Sequence, residues 1–334
     1  MTSETVAIVT TVLNEREGIR VLLDGFLAQT RKPEEIVVVD GGSTDGTIEV
    51  LHGYAERHPS IRVLVERGAN IARGRNVGIR AASATIIAVT DGGCRPELDW
   101  LQELVRPLVD GAEYGAVTGA RRIVASNRFE KYAGLLSTST NASVEEDRVF
   151  HGRNSAFRKS LWQAVGGYPE WLYTAEDTLF AQRAKALGCR VALAESAVVS
   201  WRPRPTLRKL AKQYFLYGRG TGRIGMSQAA AVRHHLRNHL LWMLALLLSP
   251  LMPALLLVVG AVWAYLYLNM LRPAIAQAQQ TMASPWTPVW VGLIVMVRSM
   301  ANHVGQAYGM WEYSRQPIFS QSLQAYRNGQ WRMG

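Results

Sequence analysis

Cysteine is nearly absent: Cys94 and Cys189 are the only two among 334 residues, in unrelated contexts and without metal-ligand spacing. That excludes a disulfide framework and fits a reducing cytosol. Acidic residues are missing from a long stretch. After Glu195 none appears until Glu312, whereas Arg202 to Arg237 carries nine Lys/Arg within an overall net charge of +11. Charge of either sign is missing from Leu240 to Leu271, and Pro288 to Met310 carries only Arg298 and His303. A basic block placed directly before an uncharged apolar run favours an anionic lipid surface over nucleic acid as partner. The N-terminal Met1-Thr2-Ser3-Glu4 lacks a basic n-region, so no cleaved signal peptide is expected and the first 200 residues are expected to stay cytoplasmic. At 48% hydrophobic residues the composition lies at the top of the soluble range, which fits a soluble domain with a membrane-embedded tail.

What is present begins with β-branched runs. Val6 to Val12, Ile36 to Val39, Ile61 to Val65 and Ile86 to Val89 read as buried strands, and Ile19, Leu22, Leu23, Phe26 and Leu27 repeat at helical spacing between the first two. Alternation at this spacing implies an α/β fold with a parallel, doubly wound sheet. Further strands are expected at 115–124, 151–157 and 191–199, with helices at 76–82, 101–109, 161–165 and from Ala175 to Leu187; 128–149 has no clear pattern. Leu207, Leu210, Ala211, Tyr214 and Phe215 lie at helical spacing among Arg208, Lys209 and Lys212, as an interfacial helix requires. The organisation expected is a catalytic domain at 1–200, basic interfacial helices at 201–239, membrane helices at 240–311 and a tail at 312–334.

The thirty-two uncharged residues would make about 48 Å of helix, too long for one untilted crossing and short for two. Pro250 and Pro253 break the run, which favours a hairpin, tight or re-entrant, turning at Ser249 to Pro253 and followed by a membrane helix from Val289 to Tyr308. Arg315, Arg327 and Arg332 draw the C-terminus to the cytoplasmic side. One full crossing after a re-entrant hairpin would put it outside, so the two readings conflict.

Strand-end loops gather polar groups at one sheet edge: Asn14 and Glu15 after the first strand, Asp40 with Ser43 and Asp45 after the second, and Asp91 after the fourth. Carboxylates there can accept hydrogen bonds from base N–H and ribose hydroxyls, while backbone N–H groups approach phosphates. The blocks 8–15, 37–47, Gly74-Arg75-Asn76-Val77-Gly78 and Thr90-Asp91-Gly92-Gly93-Cys94 resemble the successive motifs of family 2 inverting glycosyltransferases with the GT-A fold. Gly152-Arg153-Asn154-Ser155 and Ala175-Glu176-Asp177-Thr178 resemble that family's acceptor-side and base motifs. The basic segment and tail are similar to those of membrane-associated, succinoglycan-type exopolysaccharide transferases.

The resemblance implies a nucleotide-sugar donor, UDP-linked by preference, held by Thr11, Asn14, Glu15, Asp40, Ser43, Arg75, Asn76, Asp91 and Gly93. It implies that Asp177, with Glu176 beside it, deprotonates an acceptor hydroxyl, so that one base and in-line attack invert the anomeric carbon. Arg153, Asn154, Gln213 and Arg219 are implied for the acceptor or diphosphate. The acceptor would be a lipid-linked or polysaccharide glycan, at the cytoplasmic face of a bacterial inner membrane. Two departures bear on metal use: the family's second acid is Gly93, and the histidine that many members carry after the last strand falls at Val199-Ser200-Trp201. Asp91 alone leaves Mg or Mn short of protein oxygens, although Mg²⁺ tolerates one carboxylate when diphosphate and water supply the rest. Weak or absent metal dependence is therefore expected, with arginines stabilising the leaving diphosphate. The Gln213 segment lacks the Arg-Trp pair of processive synthases. Two other functions fit the same pattern: a polyprenyl-phosphate sugar synthase, and a silent, membrane-tethered glycan-binding scaffold. The sequon Asn141-Ala142-Ser143 would not meet the glycosylation machinery from the cytoplasm.

Overall fold

A computed structural model describes residues 4–111, 113–137 and 149–331, so the sequon at 141–143 lies outside the described residues. Strands β1 (Val6–Val12), β2 (Glu35–Asp40), β3 (Ile61–Val65) and β4 (Ile86–Thr90) alternate with helices α1 (Arg16–Leu27), α2 (Thr47–Arg57) and α3 (Ile71–Ala81). There follow β5 (Cys94–Pro96), α4 (Trp100–Asp110), β6 (Tyr114–Ile123), α5 (Arg128–Leu135), β7 (Asn154–Arg158), α6 (Lys159–Val165), α7 (Glu176–Ala186) and β8 (Arg190–Trp201). The remaining helices are α8 (Leu207–Arg223), α9 (Ala229–Leu248), α10 (Leu255–Leu266), α11 (Arg272–Thr281), α12 (Thr287–Arg315) and α13 (Pro317–Arg327), with a π-helical turn Tyr267–Leu271 joining α10 to α11.

The described residues group into two compact units. The first contains 4–124, 149–202 and 322–331, and the second contains 125–137 and 203–321. The tail expected from 312 onward is therefore divided. Its last part belongs to the first unit, where buried Tyr326 donates through its hydroxyl to the Gly167 carbonyl at 2.7 Å.

The sheet of the first unit runs β3-β2-β1-β4-β7-β6-β8-β5. Its first four strands are parallel, and β1, β2 and β4 are buried on both faces, which is why their sequences are largely continuous apolar runs rather than alternating ones, whereas β3 at the edge leaves Arg62 and Val65 exposed. The sheet is mixed rather than wholly parallel, because β7 enters antiparallel between β4 and β6. The register Thr90↔Asn154 sets the start of β7 beside the end of β4. That reversal carries Gly152 and Arg153 to the edge where Asp91 stands. Helix α3 starts at Ile71, earlier than the apolar spacing implies, because the Asn70 side chain caps it by accepting from the Arg73 N–H. It lies unusually close to the sheet: a Cβ on Gly74 would sit 2.8 Å from Thr11 Cγ2, and one on Gly78 2.6 Å from Val9 Cγ1.

In the second unit α8 and α12 touch backbone to backbone through two glycine pairs spaced four apart, Gly218/Gly222 and Gly305/Gly309. A Cβ on Gly305 would stand 2.1 Å from the Phe215 carbonyl oxygen. Gly305→Leu must push the helices apart, and thermal unfolding in detergent should show a loss of about 3 kcal/mol or more. Gly292, on the same helix, faces open space, so Gly292→Ala should change stability by about 0.5–1 kcal/mol in the opposite direction. Among the described helices only Leu255–Thr281 is long and apolar enough to cross a membrane. The further spanning helix expected over 289–308 does not meet that test, because Arg298, Asn302, His303 and Gln306 interrupt α12 and its small-residue face is buried on α8.

Candidate active site

Asp91 leaves the end of β4 in a tight turn closed by the Cys94 N–H on its own carbonyl. The turn is anchored to its neighbours by Thr10 Oγ1 donating to the Thr90 carbonyl and Thr90 Oγ1 donating to the Arg153 carbonyl, both at 2.9 Å. The Asp91 carboxylate receives Arg75 Nη2 at 2.9 Å on one oxygen and Arg153 Nε at 3.5 Å on the other. Arg75 is almost fully buried, and its second nitrogen donates to Glu176 at 2.9 Å. Burial opposes the charge on Arg75, but Glu176 and Asp91 more than offset it and keep the guanidinium protonated. Only glycine fits opposite this group, since a Cβ on Gly152 would lie 2.0 Å from Arg75 Nη2.

Glu176 and Asp177 open α7 after Ala175, a non-glycine residue held at φ 68 in the left-handed region. Their environments separate them. Burial first, and the Asp177 charge second, push the Glu176 carboxyl up to about 8 against the pull of Arg75. For Asp177 burial also raises the pKa, but His151, Arg75 and the N–H groups of Gly152 and Thr178 outweigh it and hold the acid below its ordinary value. Asp177 Oδ2 accepts from the Gly152 N–H at 3.2 Å and lies 3.8 Å from His151 Nδ1. Burial lowers the His151 pKa, so this ring is neutral at physiological pH. Asp177 is 26% exposed against 7% for Glu176. The ionised, accessible carboxylate is thus Asp177, and Glu176, expected to share in catalysis, faces inward and positions Arg75.

The remaining donor-side residues form a connected set beside this cluster. Asp40 is fully buried and turns its carboxylate on its own loop, accepting from the Gly42 and Ser43 N–H groups and from Ser43 Oγ. Ser43 Oγ accepts from the Asn14 N–H, the Asn14 amide oxygen from the Thr44 N–H, and Thr47 Oγ1 from the Glu15 N–H. Asn14 takes φ 54, and the loop after β1 is thereby stapled to the loop after β2. Gly92 packs on Thr11 and Glu15, with a Cβ there 3.4 Å from the Thr11 carbonyl oxygen and 3.7 Å from Glu15 Cγ, so all three strand ends meet.

Four expected site residues are committed elsewhere. Asn76 is wholly buried and spends all four hydrogen-bonding positions, donating to the Tyr168 carbonyl and Glu170 and accepting from Trp162 Nε1 and the Tyr168 N–H. Asn154 likewise ties the sheet together, accepting from Trp100 Nε1 and donating to the carbonyls of Ala120 and Ala197. In the second unit the Gln213 amide donates to the Tyr217 hydroxyl one helical turn on. Arg219, with Arg223, grips both oxygens of Glu312. Burial works against the Glu312 charge, yet the two arginines win and hold its pKa at about 2. The motif reading missed His151, Trp201 and the Arg219–Glu312–Arg223 triad. The lone Glu312 at the end of an acid-free stretch was the signal for the last of these.

Gly93 and Trp201 decide how well the site suits a divalent cation. Gly93 has no neighbour within 4 Å of an added Cβ, so no other group fills the missing acid's place. Trp201 lies under the Arg153 guanidinium, 4.6 Å from ring centre to carbon, and its indole N–H is buried without a partner among the described residues. No cluster of three or more potential ligand side chains occurs among the described residues. One carboxylate already bonded to two arginines is a poor donor set for a hard cation.

Comparison with known proteins fits this geometry. The profile described as "Glycosyl transferase family 2" matches residues 7–166, and that of "Glycosyl transferase family group 2" matches residues 119–311. The succinoglycan biosynthesis protein ExoA of Rhizobium meliloti is 28% identical over 333 residues, 93% of this chain and 95% of that protein. Glycosyltransferase AglE of Haloferax volcanii is 28% identical over 236 residues, 68% and 76% of the two chains. The fold is shared with the mannosyltransferase PcManGT of Pyrobaculum calidifontis, solved with GDP-Man and Mn²⁺. It superposes with a TM-score of 0.61 at 23% identity over 92% of this chain and 88% of that one. With the order of its motifs, its GT-A sheet and the two profiles together covering most of its length, the chain belongs to glycosyltransferase family 2 and is a nucleotide-sugar-dependent glycosyltransferase.

Proposed function

We propose that this enzyme moves one sugar, with inversion, from a nucleoside diphosphate sugar to a hydroxyl of a lipid-linked or polysaccharide glycan at the membrane surface. The observation that carries the reading is Asp177, an accessible carboxylate held ionised beside the Arg75–Asp91–Glu176 arrangement, which, unlike the similarly exposed Asp91, is not tied up in an arginine hydrogen bond among the described residues. Its oxygen takes the acceptor proton as the acceptor oxygen attacks the anomeric carbon. The bond from that carbon to the phosphate oxygen breaks, and the electron pair leaves with the diphosphate. Arg75 and Arg153 then stabilise the departing charge, with Arg153, the more exposed of the two, turning from Asp91 toward phosphate. Asp91 orients the donor sugar or ribose, and Glu176 keeps Arg75 aimed. The full-length similarity to ExoA and the basic, acid-free segment support a membrane-bound glycan acceptor.

Membranes containing the enzyme, given a panel of nucleotide sugars with and without EDTA, test the whole reading. One donor should be consumed, its product should carry the inverted anomeric configuration, and most of the rate should survive the chelator. Loss of turnover in EDTA with restoration by Mg²⁺ or Mn²⁺ would overturn the arginine assignment. Retention of configuration would remove the single-base mechanism.

A further inference from the structure

The α9–α10 hairpin presents an apolar surface for which transfer chemistry has no use. Leu247, Leu251, Met252, Leu256 and Leu257 are all exposed on it, Leu251 at 81% and Leu257 at 77%. The two arms pack on each other, with the Trp242 and Trp263 rings 5.5 Å apart, so the outward side chains have no protein partner in the described chain. At the base the charge is uniformly positive: Arg233 and Arg237 are exposed on the first arm and Arg272 at the end of the second.

Arm length limits how deep such a hairpin can go. Between Arg237 and the turn at Ser249 lie eleven helical residues, 238–248, which span about 17 Å, roughly half of a 30 Å hydrocarbon core. The second arm is longer, but the shorter one sets the depth while its arginines stay among headgroups. The turn itself, Ser249-Pro250-Leu251-Met252-Pro253-Ala254, has no charged group. Its only polar side chain, the Ser249 hydroxyl, donates back to the Leu246 carbonyl at 2.8 Å. The backbone N–H groups of Ser249, Leu251, Met252, Leu255, Leu256 and Leu257 each bond to a carbonyl three or four residues earlier, and Pro250 and Pro253 have none to satisfy.

We infer that the α9–α10 hairpin enters only the near leaflet of an anionic bilayer and turns within the hydrocarbon, so that the chain before Arg237 and after Arg272 stays on one face of the membrane. This rests on the membrane-bound reading above and adds the depth and topology. It removes the conflict between a basic C-terminal tail and an odd number of crossings, because there is no crossing. Helix α12 agrees, since it carries Arg298 and packs along α8, itself a basic helix.

Depth-dependent fluorescence quenching on the full-length protein decides it. Leu251→Cys in a Cys189→Ser background is labelled with an NBD dye and bound to phosphatidylcholine/phosphatidylglycerol vesicles, whose lipids carry bromine at shallow, middle or deep acyl positions. Deep bromines should quench residue 251 most, and the same dye on Arg237→Cys should show the reverse order. Strongest quenching of residue 251 by shallow bromines, with protection from external dithionite, would mean that the turn has reached the far headgroups and that the hairpin spans. Failure to float with the vesicles, with self-association instead, would make a second copy the partner and overturn both the hairpin assignment and the membrane-bound reading. Donor turnover assayed on the same preparation with a soluble acceptor keeps the transferase chemistry separate from either outcome.

Discussion

Asp177→Asn lowers kcat by about 10²–10⁴-fold while leaving nucleotide-sugar affinity nearly unchanged and costing only about 1 kcal/mol in folding stability. The substitution keeps the side chain's shape and one oxygen that still accepts from the Gly152 or the Thr178 N–H, losing the bond to the other, so the start of α7 keeps its form. What it removes is the ability to take a proton. In the parent enzyme that ability is lost as pH falls through the Asp177 pKa. His151, Arg75 and two backbone N–H groups hold that pKa below the ordinary aspartate value against the opposing effect of burial. The acid limb of the kcat profile therefore lies at low pH in the parent and is missing from the variant. Donor binding by equilibrium titration and turnover by radiolabelled transfer separate the two quantities. Undiminished turnover in Asp177→Asn would assign the base elsewhere, and Glu176 is a poor substitute because it is buried and holds its proton to about pH 8.

How much of this was legible in the sequence depends on the range of the interaction involved. The β-branched runs mark β1, β2 and β4 directly, since strands buried on both faces need continuous apolar sequence, and β3 follows as their edge neighbour; the acids after β1, β2 and β4 fall at one edge as a parallel arrangement requires. The reversal of β7 was not legible: a five-residue strand has no directional signature, and only its pairing with β4 and β6 fixes it. Residue types alone could not distinguish Asn76 and Asn154, which fasten buried backbone, from Asp177 beside them. An asparagine that uses all its hydrogen bonds inside the protein is written with the same letter as one that meets a ligand. Glu176 and Asp177 are adjacent in sequence yet differ in burial, which long-range packing decides. The contact between α8 and α12 was not read from the sequence, because the Gly218/Gly222 and Gly305/Gly309 pairs take on meaning only once the two helices are brought together.

Arg75→Met carries the largest combined effect, because one guanidinium serves both the fold and the leaving group. Its loss leaves Glu176 and Asp91 without their shared donor in a place where Gly152 provides no side chain to fill the space. A cost of about 3 kcal/mol or more in unfolding free energy follows from the two charge-assisted hydrogen bonds and the buried groups left unpaired. The deficit has a pH signature. Glu176 holds its proton in the folded state to about pH 8, well above its release in the unfolded chain, so its contribution to stability falls as pH rises between those two points. Without the pull of Arg75 the folded-state value moves higher still, and the gap between variant and parent widens above about pH 8. Adding Glu176→Gln supplies a neutral partner that needs no cation, and Arg75→Met/Glu176→Gln should regain part of the lost stability. Turnover should stay about 10²–10³-fold down in the double variant, because nothing there replaces the guanidinium opposite the departing diphosphate. Recovery of turnover along with stability would reduce Arg75 to a structural residue and leave Arg153 to carry the leaving-group charge alone.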